Sequence, residues 1–214
     1  MVLHSAFAFT IRVRLLMSVR RYHFPYLLLA LLCLLLACLP EPLQHLLQYQ
    51  RDAIGQGQLW RLLTGHLLHS NLWHLLMNMA GLLLAMLLHS HYYRAVSLCC
   101  QWALCGLLIA VAMYLYSADI AIYVGLSGLL HSMLTLGALR DIQLKMLTGW
   151  LLLSGLLVKV SFEQWQGPDA QLAQLIDASV AIDAHLYGVI AGLAIGLATA
   201  IMQRYNTKPS TDAG

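Results

Sequence analysis

The sequence predicts an all-α polytopic membrane protein with six transmembrane helices, and three observations support this. Of 214 residues, 60% are hydrophobic and only 10% charged, against about 25% charged in a soluble domain. Apolar runs between polar breaks recur six times. Lysine and arginine gather on one side of those runs. A soluble enzyme, a disordered tail and a nucleic-acid binder are thereby excluded, because too little charge is present to cover a water-facing surface. Six spans of roughly 20 residues would use about 120 positions, which leaves short loops and no room for a second domain.

The spans are predicted at residues 24–39, 72–88, 96–116, 127–139, 146–160 and 182–202. With the N-terminus inside, the inner segments hold Arg12, Arg14, Arg20, Arg21, Arg94, Arg140, Lys145, Arg204 and Lys208. The outer segments hold only Arg51, Arg61 and Lys159. This bias predicts that both termini are cytoplasmic. Most acids fall outside (Glu41, Asp52, Asp119, Glu163, Asp169, Asp177 and Asp183). The organisation expected is a cytoplasmic segment 1–23, one membrane domain 24–202 and a cytoplasmic tail 203–214.

The basic residues ahead of Leu35-Leu36-Ala37-Cys38 also resemble a lipoprotein signal, but the polytopic body that follows makes a retained first span the simpler reading. Met17, followed by Ser-Val-Arg-Arg, looks like a natural start, so residues 1–16 are read as an upstream extension. Cys33, Cys38, Cys99, Cys100 and Cys105 lie in apolar runs. They read as buried, inert thiols rather than a disulfide framework.

Ionisable and polar groups inside spans are costly and mark function. Here they concentrate in the second, fourth and sixth spans: His69, His74 and Asn78; Ser127 and His131; His185. Those spans all run from outside to inside, and the polar residues lie near their beginnings. Three separate segments therefore place hydrogen-bonding chemistry in one layer near the outer face. The fourth span is only 13 residues by this count, about 20 Å of helix against a hydrocarbon core of about 30 Å. It is expected to begin partway down, below the loop of residues 123–126. Irregular backbone at that depth must be buried in protein or line a water-filled cavity.

In Gly125-Leu126-Ser127-Gly128 a serine sits between glycines at a helix start. Gly125 and Gly128 let another backbone approach closely, and the free amides of the first turn attract developing negative charge. A serine there also serves as an ordinary cap or packing residue; as a nucleophile it needs a base within hydrogen-bond reach. His185 is the candidate base, just ahead of Gly188, Gly192 and Gly196, whose four-residue repeat makes a smooth stripe for close helix packing. If the stripe packs on the fourth span, His185 reaches Ser127. The alternative is a buried histidine bonding a neighbouring helix. His74 and Asn78, four apart, share one helix face and can donate hydrogen bonds to an oxyanion. His69 is expected to precede that helix and brace the loop. No His-Glu-x-x-His motif and no pair of intramembrane aspartates occur.

Trp60-Arg61, His69-x4-His74-x3-Asn78, Gly125-x-Ser127-Gly128 and Ala184-His185-x-x-Gly188-x3-Gly192 resemble, in order, the motifs of the rhomboid intramembrane serine proteases. The similarity runs from about Trp60 to Met202. The resemblance implies a rhomboid-like core with a short, sunken fourth helix. Ser127 would be the nucleophile and His185 the base of a dyad that needs no acid. His74, Asn78 and the Ser127 amide would form the oxyanion hole, with His131, His69, Gly125, Gly128 and Gly188 in support. It implies no cofactor and no metal. The implied partners are a membrane-embedded protein segment and the lipid bilayer.

Many rhomboids carry a tyrosine four residues after the serine, where this chain has His131. That histidine and Ala-His-Leu-Tyr-Gly in the sixth span resemble the bacterial rhombosortase branch. The branch implies an inner-membrane enzyme open to the periplasm, acting on exported proteins with a C-terminal Gly-Gly motif, an apolar helix and a basic tail. His131 either stacks on His185 or simply fills the tyrosine's space. Asp177 and Asp183 are the acids considered as orienters of His185; Asp183, two residues away, should face elsewhere, so a simple dyad is expected. The alternatives are a general rhomboid protease of single-span substrates and a non-catalytic, client-binding relative.

Overall fold

The computed structural model describes residues 22–92 and 94–206. The basic cluster Arg12–Arg21, the Met17 start and Lys208 lie outside the described residues. In chain order the helices are α1 Tyr22–Ala37, then α2 Glu41–Leu47, α3 Arg51–Gly55, α4 Arg61–Thr64, α5 Leu72–His89, α6 Ala95–Tyr116, α7 Ser127–Gln143, α8 Leu147–Gln166, α9 Ala170–Ile176 and α10 Ile182–Asn206. Two short strands, β1 Tyr49–Gln50 and β2 Ile122–Tyr123, pair antiparallel with Tyr49 opposite Tyr123.

The protein is an all-α, multi-pass membrane protein. Helices beginning at Leu72, Ala95 and Ile182 are each long and apolar enough to cross a bilayer on composition alone, and α1 is a shorter apolar helix. The outer faces of α1, α5, α6 and α8 are paved with exposed leucines, among them Leu27, Leu31, Leu35, Leu84, Leu87, Leu104 and Leu151. Water would oppose such a surface; lipid accepts it.

Helix α7 stands at the centre, packed against α5, α6, α8 and α10. It is buried on every side, from Gly128 to Asp141, as a helix enclosed by others should be. It meets α10 along a seam of small residues. A Cβ on Gly188 would lie 2.1 Å from the Gly128 carbonyl oxygen, and one on Gly128 2.8 Å from that of Ala184. Farther along, Gly192 abuts Thr135 and Gly196 abuts Leu139. Backbones this close gain dispersion contacts that lipid would otherwise supply.

Local chemistry sets the helix ends. The Asn71 side chain accepts the His74 amide proton and caps α5, and Asp169 caps α9 through Leu172. Helix α8 stops where Gly167 turns to a φ of +85°, just before Pro168. No side chain caps α7, which leaves its first amides available to another acceptor.

Three features differ from the sequence expectations. Helix α7 has 17 residues rather than 13, because Arg140, Asp141 and Gln143 continue it past the apolar run. Helix α8 runs to Gln166 rather than stopping near Val160, so polar Glu163 and Gln164 lie on helix instead of loop. All five cysteines are free, but only Cys33 and Cys105 are buried; Cys38, Cys99 and Cys100 are exposed, as apolar thiols on a lipid-facing surface can be.

The segment between α1 and α5 is braced by the Trp60-Arg61 pair. The Arg61 guanidinium, only 4% exposed, donates to the His45 and Gln48 carbonyls and to Gln58, each at 2.7 Å. Trp60 Nε1 donates to the Leu46 carbonyl at 3.0 Å. Arg51 likewise donates to the Met113, Tyr114 and Ser117 carbonyls at the end of α6. Arg61→Ala strands two carbonyls and is expected to cost about 1–3 kcal/mol, read as a lower thermal midpoint in detergent with faster proteolytic nicking between α2 and α4. An unchanged midpoint would show that Arg61 is not a brace.

Candidate active site

The loop ahead of α7 is tied to the segment between α1 and α5. The Gly125 amide donates to the Gly65 carbonyl at 3.2 Å, and the Tyr123 hydroxyl donates to the Gly125 carbonyl. Gly125 itself has a φ of +130°, a region L-residues avoid. A Cβ there would also fall 2.7 Å from His74 Nε2 and 3.8 Å from Asn78 Nδ2. The loop that delivers Ser127 therefore lies directly against the polar tips of α5.

Ser127 opens α7, and His185 lies in the first turn of α10. The Gly128–Gly188 approach brings these helix starts together, and His185 Nε2 stands 3.0 Å from Ser127 Oγ. The other ring nitrogen, Nδ1, is 3.0 Å and 3.2 Å from the two carboxylate oxygens of Glu163. An ionised carboxylate only accepts, so Nδ1 carries the proton and Nε2 offers its lone pair to the serine hydroxyl. This is the tautomer a general base needs. Lys159 reaches the same carboxylate at 2.6 Å.

His131 stacks on His185 with ring centroids 4.4 Å apart and planes 18° from parallel. Its Nδ1 donates to the Ser127 carbonyl at 2.7 Å. His131 thus does what sequence reasoning left open: it is a stacking wedge bonded to the serine's own backbone. His131, Glu163 and His185 offer possible metal-ligand atoms that all lie within 4.8 Å of one another, and both His185 nitrogens are engaged, by Ser127 and by Glu163.

On α5, Asn78 is 4% exposed, and its amide nitrogen is buried without a hydrogen-bond partner. An orphaned buried donor is costly and needs an explanation. His74 Nδ1 lies 3.0 Å from the Ser70 hydroxyl. That hydroxyl gives its one proton to the Ile176 carbonyl, so it accepts from His74 Nδ1–H. The Ser70 amide, at 3.5 Å from Nδ1, is at the limit of a bond and does not outweigh this. In the neutral ring His74 Nε2 therefore holds a lone pair, and Asn78 is the donor available at rest. His69 precedes α5 and packs edge-on to His74 at 5.1 Å. It serves as an aromatic brace for the His74 ring.

The two acids considered from sequence do not meet His185. Asp183 accepts from Ser117 and Gln164, and Asp177 caps the end of α9. The carboxylate at the imidazole is Glu163, which sequence reasoning placed in a loop. A signal was present: the buried stripe of α8, Gly149, Leu153, Leu156 and Val160, alternates steps of four and three, and its next member is residue 163. The predicted helix end hid it.

A family model described as the Rhomboid domain matches residues 56–201, well over half the chain. The chain belongs to the rhomboid family. Rhomboids are intramembrane serine proteases, acting on substrates within the bilayer, and the match covers every residue from Trp60 to Gly196 discussed above. Curated protein sequences yield no match.

Proposed function

We propose that this rhomboid is a serine endopeptidase that releases exported proteins by cutting their membrane-anchoring tails. The observation that carries the reading is the 3.0 Å contact between Ser127 Oγ and His185 Nε2, made in the tautomer that lets the ring accept. Ser127 attacks the scissile carbonyl while His185 takes the hydroxyl proton, then returns it to the leaving amine. Asn78 and the Ser127 amide face the carbonyl oxygen as it becomes negative, and His74 joins them once its ring proton moves to Nε2. Water resolves the acyl-enzyme. A non-catalytic relative would not need the serine, the base and the unpaired donor together.

His131 in the tyrosine's place supports the rhombosortase branch, with substrates that end in a Gly-Gly motif, an apolar helix and a basic tail. The protease domain is residues 24–202, in the bacterial inner membrane, with both termini cytoplasmic and the site open to the periplasm. The test is an exported reporter bearing such a tail, co-expressed with the enzyme. Cleavage that disappears when the Gly-Gly motif is changed supports the branch. Cleavage that ignores the motif, or occurs only in other single-span substrates, identifies a general rhomboid instead.

Asn78→Ala is expected to lower kcat by about 10²–10³-fold with KM little changed, because its amide binds the oxyanion and not the ground state. A rise in KM alone would place Asn78 in substrate binding.

A further inference from the structure

We propose that Glu163 is the positioning acid of this site, making the catalytic unit a Ser127–His185–Glu163 triad rather than the two-residue pair that the family resemblance implies. The inference rests on the nucleophile and base assigned above and adds to them. Three observations carry it. First, both carboxylate oxygens lie within hydrogen-bond distance of His185 Nδ1, at 3.0 and 3.2 Å, on the side of the ring opposite Ser127. Second, the carboxylate is turned inward: the Glu163 side chain is only 19% exposed, although residue 163 lies near the outer end of α8, where an acid could point to water. Third, it is held there by Lys159, one turn earlier on α8, at 2.6 Å. An acid serving only as a surface partner for Lys159 would have no reason to spend both oxygens on a buried imidazole.

The chemistry follows from proton placement. As Ser127 attacks, its proton moves to His185 Nε2, and the ring becomes an imidazolium with Nδ1–H still in place. Glu163 keeps Nδ1 protonated beforehand, fixes the ring angle and offsets the positive charge that forms; it takes no proton itself. The Nε2 proton then goes to the leaving amine and the ring returns to neutral. Because both oxygens accept, a glutamine at 163 could instead present its NH₂ to Nδ1. That would move the ring proton to Nε2 and turn the base into a donor.

The titratable groups around His185 are Glu163 and Lys159 on α8, His131 on α7, His74 on α5, and Asp183 next to it on α10. Of these, Glu163 is the one bonded to the ring's Nδ1. Removing it frees the ring to rotate and to place its proton on either nitrogen.

The experiment measures kcat and KM for a tail-bearing reporter, using the full chain purified in detergent. It compares wild type with Glu163→Gln, Glu163→Asp and Ser127→Ala, and records a thermal midpoint for each. The expected result is a kcat about 10²–10⁴-fold lower in Glu163→Gln, unchanged KM, and partial recovery in Glu163→Asp. If Glu163→Gln fails to fold, Glu163→Asp still decides, because drawing the carboxylate back by one methylene lowers kcat and leaves KM unchanged. A wild-type kcat in either folded variant, with Ser127→Ala inactive, would overturn the triad and leave the dyad standing. Turnover surviving in Ser127→Ala would instead remove the nucleophile and the triad with it.

Discussion

Ser127→Ala is expected to abolish reporter cleavage and labelling by a fluorophosphonate probe while the protein still accumulates in the membrane. His185→Ala should do the same to cleavage, and the double variant should be no worse than either alone. The two groups act on one proton, and units of this kind lose roughly 10⁴–10⁶-fold when any essential member is removed. The serine hydroxyl lies at the start of α7 and is small, facing His185 Nε2, so its loss should leave the helix packing intact. Labelling of Ser127→Ala equal to wild type would reject Ser127 as the nucleophile. Additive losses in the double variant would show that the two side chains act separately.

The second large effect is expected from a single methyl group remote from the reacting atoms. Gly188→Ala places a Cβ 2.1 Å from the Gly128 carbonyl oxygen and 3.1 Å from His131 Cβ, and backbone cannot yield as a flexible side chain would. Helices α7 and α10 must separate by something near 1 Å, which is enough to cost about 10²-fold in a reaction that depends on near-contact geometry. Overpacking of this kind also destabilises by about 1–3 kcal/mol. The expected outcome is therefore a fall in kcat far larger than the fall in thermal midpoint accounts for. Gly155→Ala is the control, since nothing lies within 4 Å of its Cβ position. Wild-type turnover in Gly188→Ala would show that the seam tolerates separation.

Much of the architecture was readable along the chain. Apolar runs longer than about 18 residues have few other uses, so α5, α6 and α10 were placed to within a few residues. Ser127, His185, His74 and Asn78 were visible because polar groups in lipid are expensive and stand out against leucine. Glu163 did not stand out. Near the outer end of a span a carboxylate looks like any solvated loop residue, and its meaning depends on which way one turn of α8 faces. His74 was similar: its position was readable, but the choice of ring nitrogen that carries the proton came from Ser70 and from the Ile176 carbonyl, contributed by a segment about a hundred residues away. The role of Arg61 as a brace was equally hidden, since its partners are backbone carbonyls, which carry no mark in a sequence.

Periodicity and composition were enough to establish a helical membrane protein with a serine and a histidine at the heads of two separate spans, because hydrophobicity and its interruptions are local properties. Distances between helices are not local. Whether two glycines meet, which acid faces an imidazole and which donor is left unpaired depend on how the helices share one interior, and those relations came into view with the packing of α7 against α5, α8 and α10.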